Sequence, residues 1–407
     1  MATRYWLGGA QTVAQVDTVQ VTGFDAATTY TITIGGIAVS VAGNTDVNTT
    51  ASDLQVALAA ETHAYFAAIT WTVSTDTITA TADVAGCPFT ATSSVTGGTG
   101  TIGAVTSSTA NSSPHDFNNA DNWTNQVAPV NSDTIIFADH GISCVWNTDT
   151  SLTTVELIID QSFTGEIGLD RRSFATAQDG SSLDTSAPEY RAHTLELNCS
   201  SVLIGRNITG TSQAGSSRIK LYNSGGGDCL IENTGTNSDH PPLMYRANSA
   251  ISSVEIRQGT VGLGTDEPSL NTVYDFIDVS GTDPATSVSI GPEVQASDIH
   301  LQEGELFWRG DTAVTTTSVN VYGGEMHLDE GPTITTLSVY GGTVVYKGPN
   351  NVTTLNMEGG DVDCGQSSSA RTIGTLNFNR SGSFTHGDNV TITTFNEGTN
   401  GTTTFDG

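Results

Sequence analysis

At 407 residues the chain exceeds what one ordinary hydrophobic core serves, so two or three domains, or a small domain plus an elongated repeat body, are expected. Its net charge of −30 arises from 13 Lys+Arg against 43 Asp+Glu, and long-range repulsion then excludes phosphate backbones and anionic headgroups, hence nucleic acid and membrane, as main partners. A protein partner with a basic face fits this charge, and so does a plain role in keeping a large β surface soluble.

No apolar signal core follows Met1-Ala2-Thr3-Arg4-Tyr5-Trp6, and no window approaches about 18 apolar residues. The product is therefore expected to stay in the cytoplasm after synthesis unless it leaves by assembly into a particle or by lysis. The five cysteines, Cys87, Cys144, Cys199, Cys229 and Cys364, are odd in number and lack CxxC or Cys/His spacing. They read as small apolar core residues made in a reducing compartment.

In chain order, residues 1–10 read as the first strand or cap of a repeat body, and residues 11–95 as an inserted ββαββ domain. Thr29–Ile34 and residues 37–41 flank Gly35-Gly36, a hairpin signal. The Ala-rich run within 49–68 follows Thr/Ser capping candidates and places Leu54, Ala57 and Leu58 on one stripe, which predicts a helix. Residues 69–73 and Thr77–Ala82 form a second hairpin, closed by 88–92. The Gly/Thr/Ser-rich stretch 96–115 reads as a linker, 116–145 as a cap, and 146–407 as a repeat body.

The repeat is an apolar-x-apolar element followed within a few residues by Gly. It occurs as Val254-Glu255-Ile256, Ile277-Asp278-Val279, Ile299-His300-Leu301, Val319-Asn320-Val321, Leu337-Ser338-Val339, Leu355-Asn356-Met357 and Leu376-Asn377-Phe378. The starting positions are separated by 23, 22, 20, 18, 18 and 21 residues, and three copies run into Gly323-Gly324, Gly341-Gly342 and Gly359-Gly360. Strands rise about 3.3 Å per residue, so about 20 residues make one circuit of a narrow parallel β-solenoid, with glycine at the corners. A sandwich or propeller also alternates, but usually repeats over about 40 or more residues. The predicted fold class is therefore all-β, a parallel β-solenoid (β-helix) carrying a small inserted α+β domain. Weaker copies at Val155-Glu156-Leu157, Leu195-Glu196-Leu197 and Ile219-Lys220-Leu221 place its start near residue 145, with an excursion at 170–191. Val339 is expected to face inward, and Ser338 outward, where Asp would cost little.

Arg4-Tyr5-Trp6-Leu7-Gly8-Gly9, Asp116-Phe117-Asn118-Asn119-Ala120-Asp121-Asn122-Trp123 and Pro129-Val130-Asn131-Ser132-Asp133 through Phe137 form the parts of one pattern. It resembles the Trp-x-Gly-Gly, Asn-Trp, Pro-x-x-x-Asp opening of phage β-helical virion surface proteins, here with a domain inserted between its halves. The resemblance covers about a third of the chain. It implies work at a particle surface and carries no catalytic residue. Autotransporter-like adhesins share the Asn-Trp opening but need an export signal. Independently of any family, Trp6, Trp123 and Trp146 are candidates for a lid over the first rung, since an open solenoid end exposes apolar surface and strand edges.

Carboxylate pairs that could serve polysaccharide cleavage are Asp361 with Asp363, Glu303 with Glu305, and Glu325 with Asp329. Outward solenoid positions must be polar, so such pairs also arise by chance. The eight histidines are scattered without HExxH, and the acid-rich stretch 170–184 offers at most weak calcium binding. No catalytic, cofactor or metal site is expected. The expected function is a non-enzymatic virion structural protein, a capsid decoration or cement subunit contacting the major capsid protein. The alternative is a tail fibre or spike binding host glycan through Tyr322, Tyr340 and Trp308, with hydrolysis a lesser variant. A homo-oligomer is expected, because the chain stops at Phe405-Asp406-Gly407 with no helix to cover the last rung, and the resemblance to phage surface proteins implies that it is a trimer.

Overall fold

The computed structural model describes residues 1–168, 194–206, 219–234, 242–248, 250–264, 272–281, 286–292, 294–309, 315–330, 333–366, 369–379 and 382–398. Two separate cores run through it, one in the N-terminal insertion and one along a parallel solenoid.

In the insertion, Val16–Gly23 pairs antiparallel with Thr77–Ala82, which pairs with Ile69–Ser74. A second sheet sets Thr29–Ile34 between Ile37–Ala42 and Ala91–Thr96. The helix Val47–Ala60 lays Ala51, Leu54 and Leu58 into the core with Val21, Ile32 and Trp71. Its cap is Asp46, whose carboxylate accepts the Thr49 N–H at 2.8 Å. The predicted run to 68 breaks at Glu61, whose side chain accepts the N–H groups of Thr62 and His63 and so opens a separate turn, Ala64–Ala67. The expected linker 96–115 is not a free connector. Thr101–Ile102 and Thr106–Thr109 both pair with Val16–Gly23, so these Thr/Ser alternations are edge strands of the domain.

The solenoid begins earlier than residue 145. Thr3–Tyr5 pairs in parallel with Thr134–Phe137, which pairs with the second half of Asp149–Asp160. The insertion therefore lies between two strands that are neighbours in space. From Ile219 onward the described strands fall two per turn, giving nine turns up to Val390–Glu397. All seven strong repeat copies stand in register, Val254 on Ile277, Ile299, Val319, Leu337, Leu355 and Leu376. The weaker copies do not. Leu157 and Ile159 are the equivalents of Val202 and Ile204 in this column, which shifts the Val155 copy by two residues. Leu195–Leu197 and Ile219–Leu221 belong to the other strand of the turn. That second strand supplies its own inward columns, Leu306, Met326, Val344, Val362 and Trp308, Leu328, Tyr346.

Between these columns the first strand of each turn bends. Ile334 and Leu337 are buried while Thr335 is exposed and Thr336 half-buried, and the same two-residue break recurs at Thr353-Thr354 and Gly374-Thr375. Two successive outward residues in an alternating strand turn the chain, so one strand covers two sides of the turn. Residues 170–191, with the expected excursion and acid-rich loop, and the terminal 405–407 lie outside the described residues.

Candidate functional site: the closed end and the outward ladders

The opening pattern folds into a clasp at the N-terminal end of the solenoid core. Trp6 and Trp123 meet edge to face at 5.1 Å, and both contact Phe137, the first residue of an inward column. Phe117 closes on Trp123 at 5.1 Å, and Phe163 on Phe137 at 5.3 Å. Each indole N–H is satisfied by a carbonyl, Trp6 by Ile142 at 2.8 Å and Trp123 by Phe117 at 2.7 Å. Trp146 is buried alongside, and its carbonyl accepts the Phe117 N–H. Gly8 has φ +60°, and a Cβ there would lie 2.4 Å from Ile142 Cγ2, so the pattern needs glycine at that place.

The polar members of the pattern tie the chain on both sides of the insertion. Asn122, fully buried, accepts the Ala10 N–H through Oδ1 and donates through Nδ2 to the carbonyls of Ser113 and Asp116. Asp116 in turn accepts from Asn147 Nδ2 at 2.9 Å. Asp133 accepts the Ala2 N–H at 2.8 Å, Arg4 Nε at 3.1 Å and the Val130 N–H at 3.3 Å. Burial pushes the Asp133 carboxyl up, but these donors outweigh burial and hold it below the usual carboxylate range.

A carboxylate depressed in this way adds stability that is fully present above its unfolded value of about 4 and is lost as pH falls through the lower folded value. Asp133→Asn is therefore expected to melt below the native chain at pH 7, with the difference shrinking below about pH 4. Thermal unfolding from pH 7 to 2 checks this; a gap constant across the range would mean that the Asp133 charge does not hold the clasp.

On the outside of the solenoid the same stacking produces side-chain ladders. One column runs His300, Asn320, Ser338, Asn356, Asn377, Asn396. Asn356 donates to Ser338, Asn377 to Asn356 and Asn396 to Asn377, the last two at 2.8 Å. Beside it Tyr322 and Tyr340 stack at 4.9 Å and 7°, and His300 meets Tyr322 edge to face at 5.7 Å. On the other strand His327 stacks on Phe307 at 4.6 Å while its Nε2 lies 3.0 Å from Glu325.

Two of the residues singled out for glycan stacking or as an outward control sit differently from expectation. Trp308 is 0% exposed, an inward residue between Ile290 and Leu328, as its alternation with Leu306 would have indicated. Ser338 points outward yet is only 5% exposed, because Asn320 and Asn356 cover it from adjacent turns. Tyr322 and Tyr340 are each 47% exposed, and each turns one ring face to the other.

The carboxylate pairs are partners of local structure. Asp361 accepts from the Ser383 N–H and hydroxyl, Asp363 from the Gly365 N–H and Gln366, and Asp329 lies 4.0 Å from Lys347. Glu305 and Glu325 are neighbours in one column, with Asp361 two turns further on. Among the described residues no three His, Cys, Asp or Glu side chains gather as metal ligands, and no helix is long and apolar enough to cross a membrane. Four of the cysteines, Cys144, Cys199, Cys229 and Cys364, are buried as thiols; burial pushes the Cys199 and Cys364 thiols up to about 12, the latter against a smaller opposing effect of Arg371. Comparison with protein-family models, curated proteins and solved structures gives no match.

Proposed function

We propose that the chain is a non-enzymatic structural protein of a bacteriophage particle, specifically a decoration or cement subunit on the head that contacts the major capsid protein and acts as a homotrimer. The observation that carries this reading is the clasp. The residues by which the opening resembles phage β-helical surface proteins pack as one aromatic lid and one hydrogen-bonded tie. Their roles are thus mechanical: they seal the first turn and anchor an inserted domain to a stiff column. The acidic surface suits a basic face on the shell.

A tail fibre or spike that binds host glycan is the second reading, favoured by the half-exposed Tyr322–Tyr340 pair. It is weakened because one face of each ring is taken by the other and Trp308 lies inside. Deleting the gene from the phage separates the two. Particles lacking a decoration subunit are expected to adsorb normally and to lose heat resistance. Loss of adsorption with unchanged heat resistance would transfer the protein to the tail.

A further inference from the structure

We propose that an uncharged face on the last five described turns is the surface by which copies of this chain pack side by side and close a threefold ring. The inference rests on the homotrimer reading and names the surface that makes it.

The face lies on the bent strands Thr315–Val321, Thr333–Val339, Val352–Met357, Arg371–Phe378 and Val390–Glu397. The bend sets two outward columns side by side. One runs Ser318, Thr336, Thr354, Thr375, Thr394. The other is threonine in every turn except at Gly374. Beyond the first column lies the Asn/Ser ladder, and beyond the second a column from Thr315 and Thr333 through Asn351 to Thr372 and Thr391. In these four columns no residue is Asp, Glu, Lys or Arg.

In a chain of net charge −30 such a face is a matter of placement. The outward positions of the companion strand in neighbouring turns carry Glu305, Arg309, Glu325, Asp329, Asp361 and Asp363. On the bent strand itself charge returns one turn before the face begins, where Asp298 stands in the Ser318 column. The uncharged surface therefore has a definite extent, five turns or about 20 Å along the axis.

Three observations make a second copy the occupant. A strongly acidic chain repels its own copies, and a face without charge is where two of them meet without setting like charges against each other. The columns repeat once per turn, about 4.8 Å, and another copy of the solenoid presents the same repeat, so hydroxyl and amide columns of two copies run in step over the whole face. The ladder amides already bond one another along the axis, from Asn356 to Ser338, Asn377 to Asn356 and Asn396 to Asn377, so covering them leaves fewer polar groups to match. The bend divides the four columns between two sides of the turn. Each copy can then give one side to each of two neighbours, and a contact between unlike sides is the kind that closes into a ring.

The test uses the full chain at about 10 μM, with its mass read by light scattering. The native chain should weigh as three. Thr353→Asp, at an exposed position of the face, should leave single chains, because it buries an unpaired charge between copies. Thr385→Asp, likewise exposed but on the companion strand, should still weigh as three. Diluted until single, both variants should keep the native denaturant midpoint, since neither residue belongs to the core of its turn. If Thr353→Asp does not fold, Thr393→Asp, exposed in the same column, takes its place. Loss of the trimer in the face variant alone supports the proposal. A trimer that survives Thr353→Asp, or that Thr385→Asp splits equally, overturns the face and leaves the homotrimer reading standing. Native single chains overturn both, and their retention on a dextran column would make a neutral glycan the occupant.

Discussion

Val339→Asp is expected to be the most damaging single exchange in the solenoid, costing about 5 kcal/mol and lowering the melting transition accordingly. Val339 is fully buried and stacked between Val321 and Met357 in the turns on either side. The new carboxylate would meet only hydrocarbon, with no cation of the column in reach, so it must either stay charged without a partner or take up a proton at the cost of a raised pKa. The matched control is Thr335→Asp, at the exposed bend of the same strand, which should change stability by less than about 0.5 kcal/mol. Ser338→Asp, at first sight an outward control, should fall between them at about 1–2 kcal/mol, since it displaces the acceptor of Asn356 Nδ2 within a covered ladder. Chemical denaturation of the three variants reads the order. Equal losses for Val339→Asp and Thr335→Asp would mean that the inward and outward faces are wrongly assigned.

The second large effect is expected at the glycine column. Gly342 has φ +73°, and a Cβ on it would stand 2.5 Å from the Gly324 carbonyl oxygen of the preceding turn. Gly324 bears the same relation to Gly304, and Gly360 to Gly342. The second glycine of each Gly-Gly pair thus turns the chain in the left-handed region while lying against the backbone of its equivalent one turn away. Gly342→Val adds a β-branched side chain where both the torsion and the space forbid it, and should cost about 4 kcal/mol. A melting transition unchanged by this substitution would show that the turns are not stacked at that corner.

How far the sequence could be read follows from which interactions are local. The copies from Val254 to Phe378 stand in register because period-two alternation and a glycine corner lie within one short window, and each turn repeats them. The companion strand is shorter. Leu306-x-Trp308 and Met326-x-Leu328 alternate over only five or six residues, so Trp308 could be mistaken for an exposed aromatic. The bend at Thr335-Thr336 interrupts alternation and hides the third side of the turn altogether. The start of the repeat body near residue 145 fell too late because the strands before it carry no copy of the repeat. Thr3–Tyr5 is three residues long and its partner Thr134–Phe137 lies on the far side of the insertion, so only the opening pattern that spans both sides, and no repeat spacing, links them. Likewise Thr101–Ile102 and Thr106–Thr109 read as linker because short Thr/Ser strands differ little in composition from exposed loops. Of the site, the tryptophan lid was legible from size and position.

Cryo-electron microscopy of intact phage particles, with antibody against this chain as a marker, tests the central claim most directly. The expected result is label over the head and, in the reconstruction, threefold clusters of solenoid density standing on the shell, each with its inserted domain. Label confined to the tail tip, or particles that contain none of the chain, would contradict it.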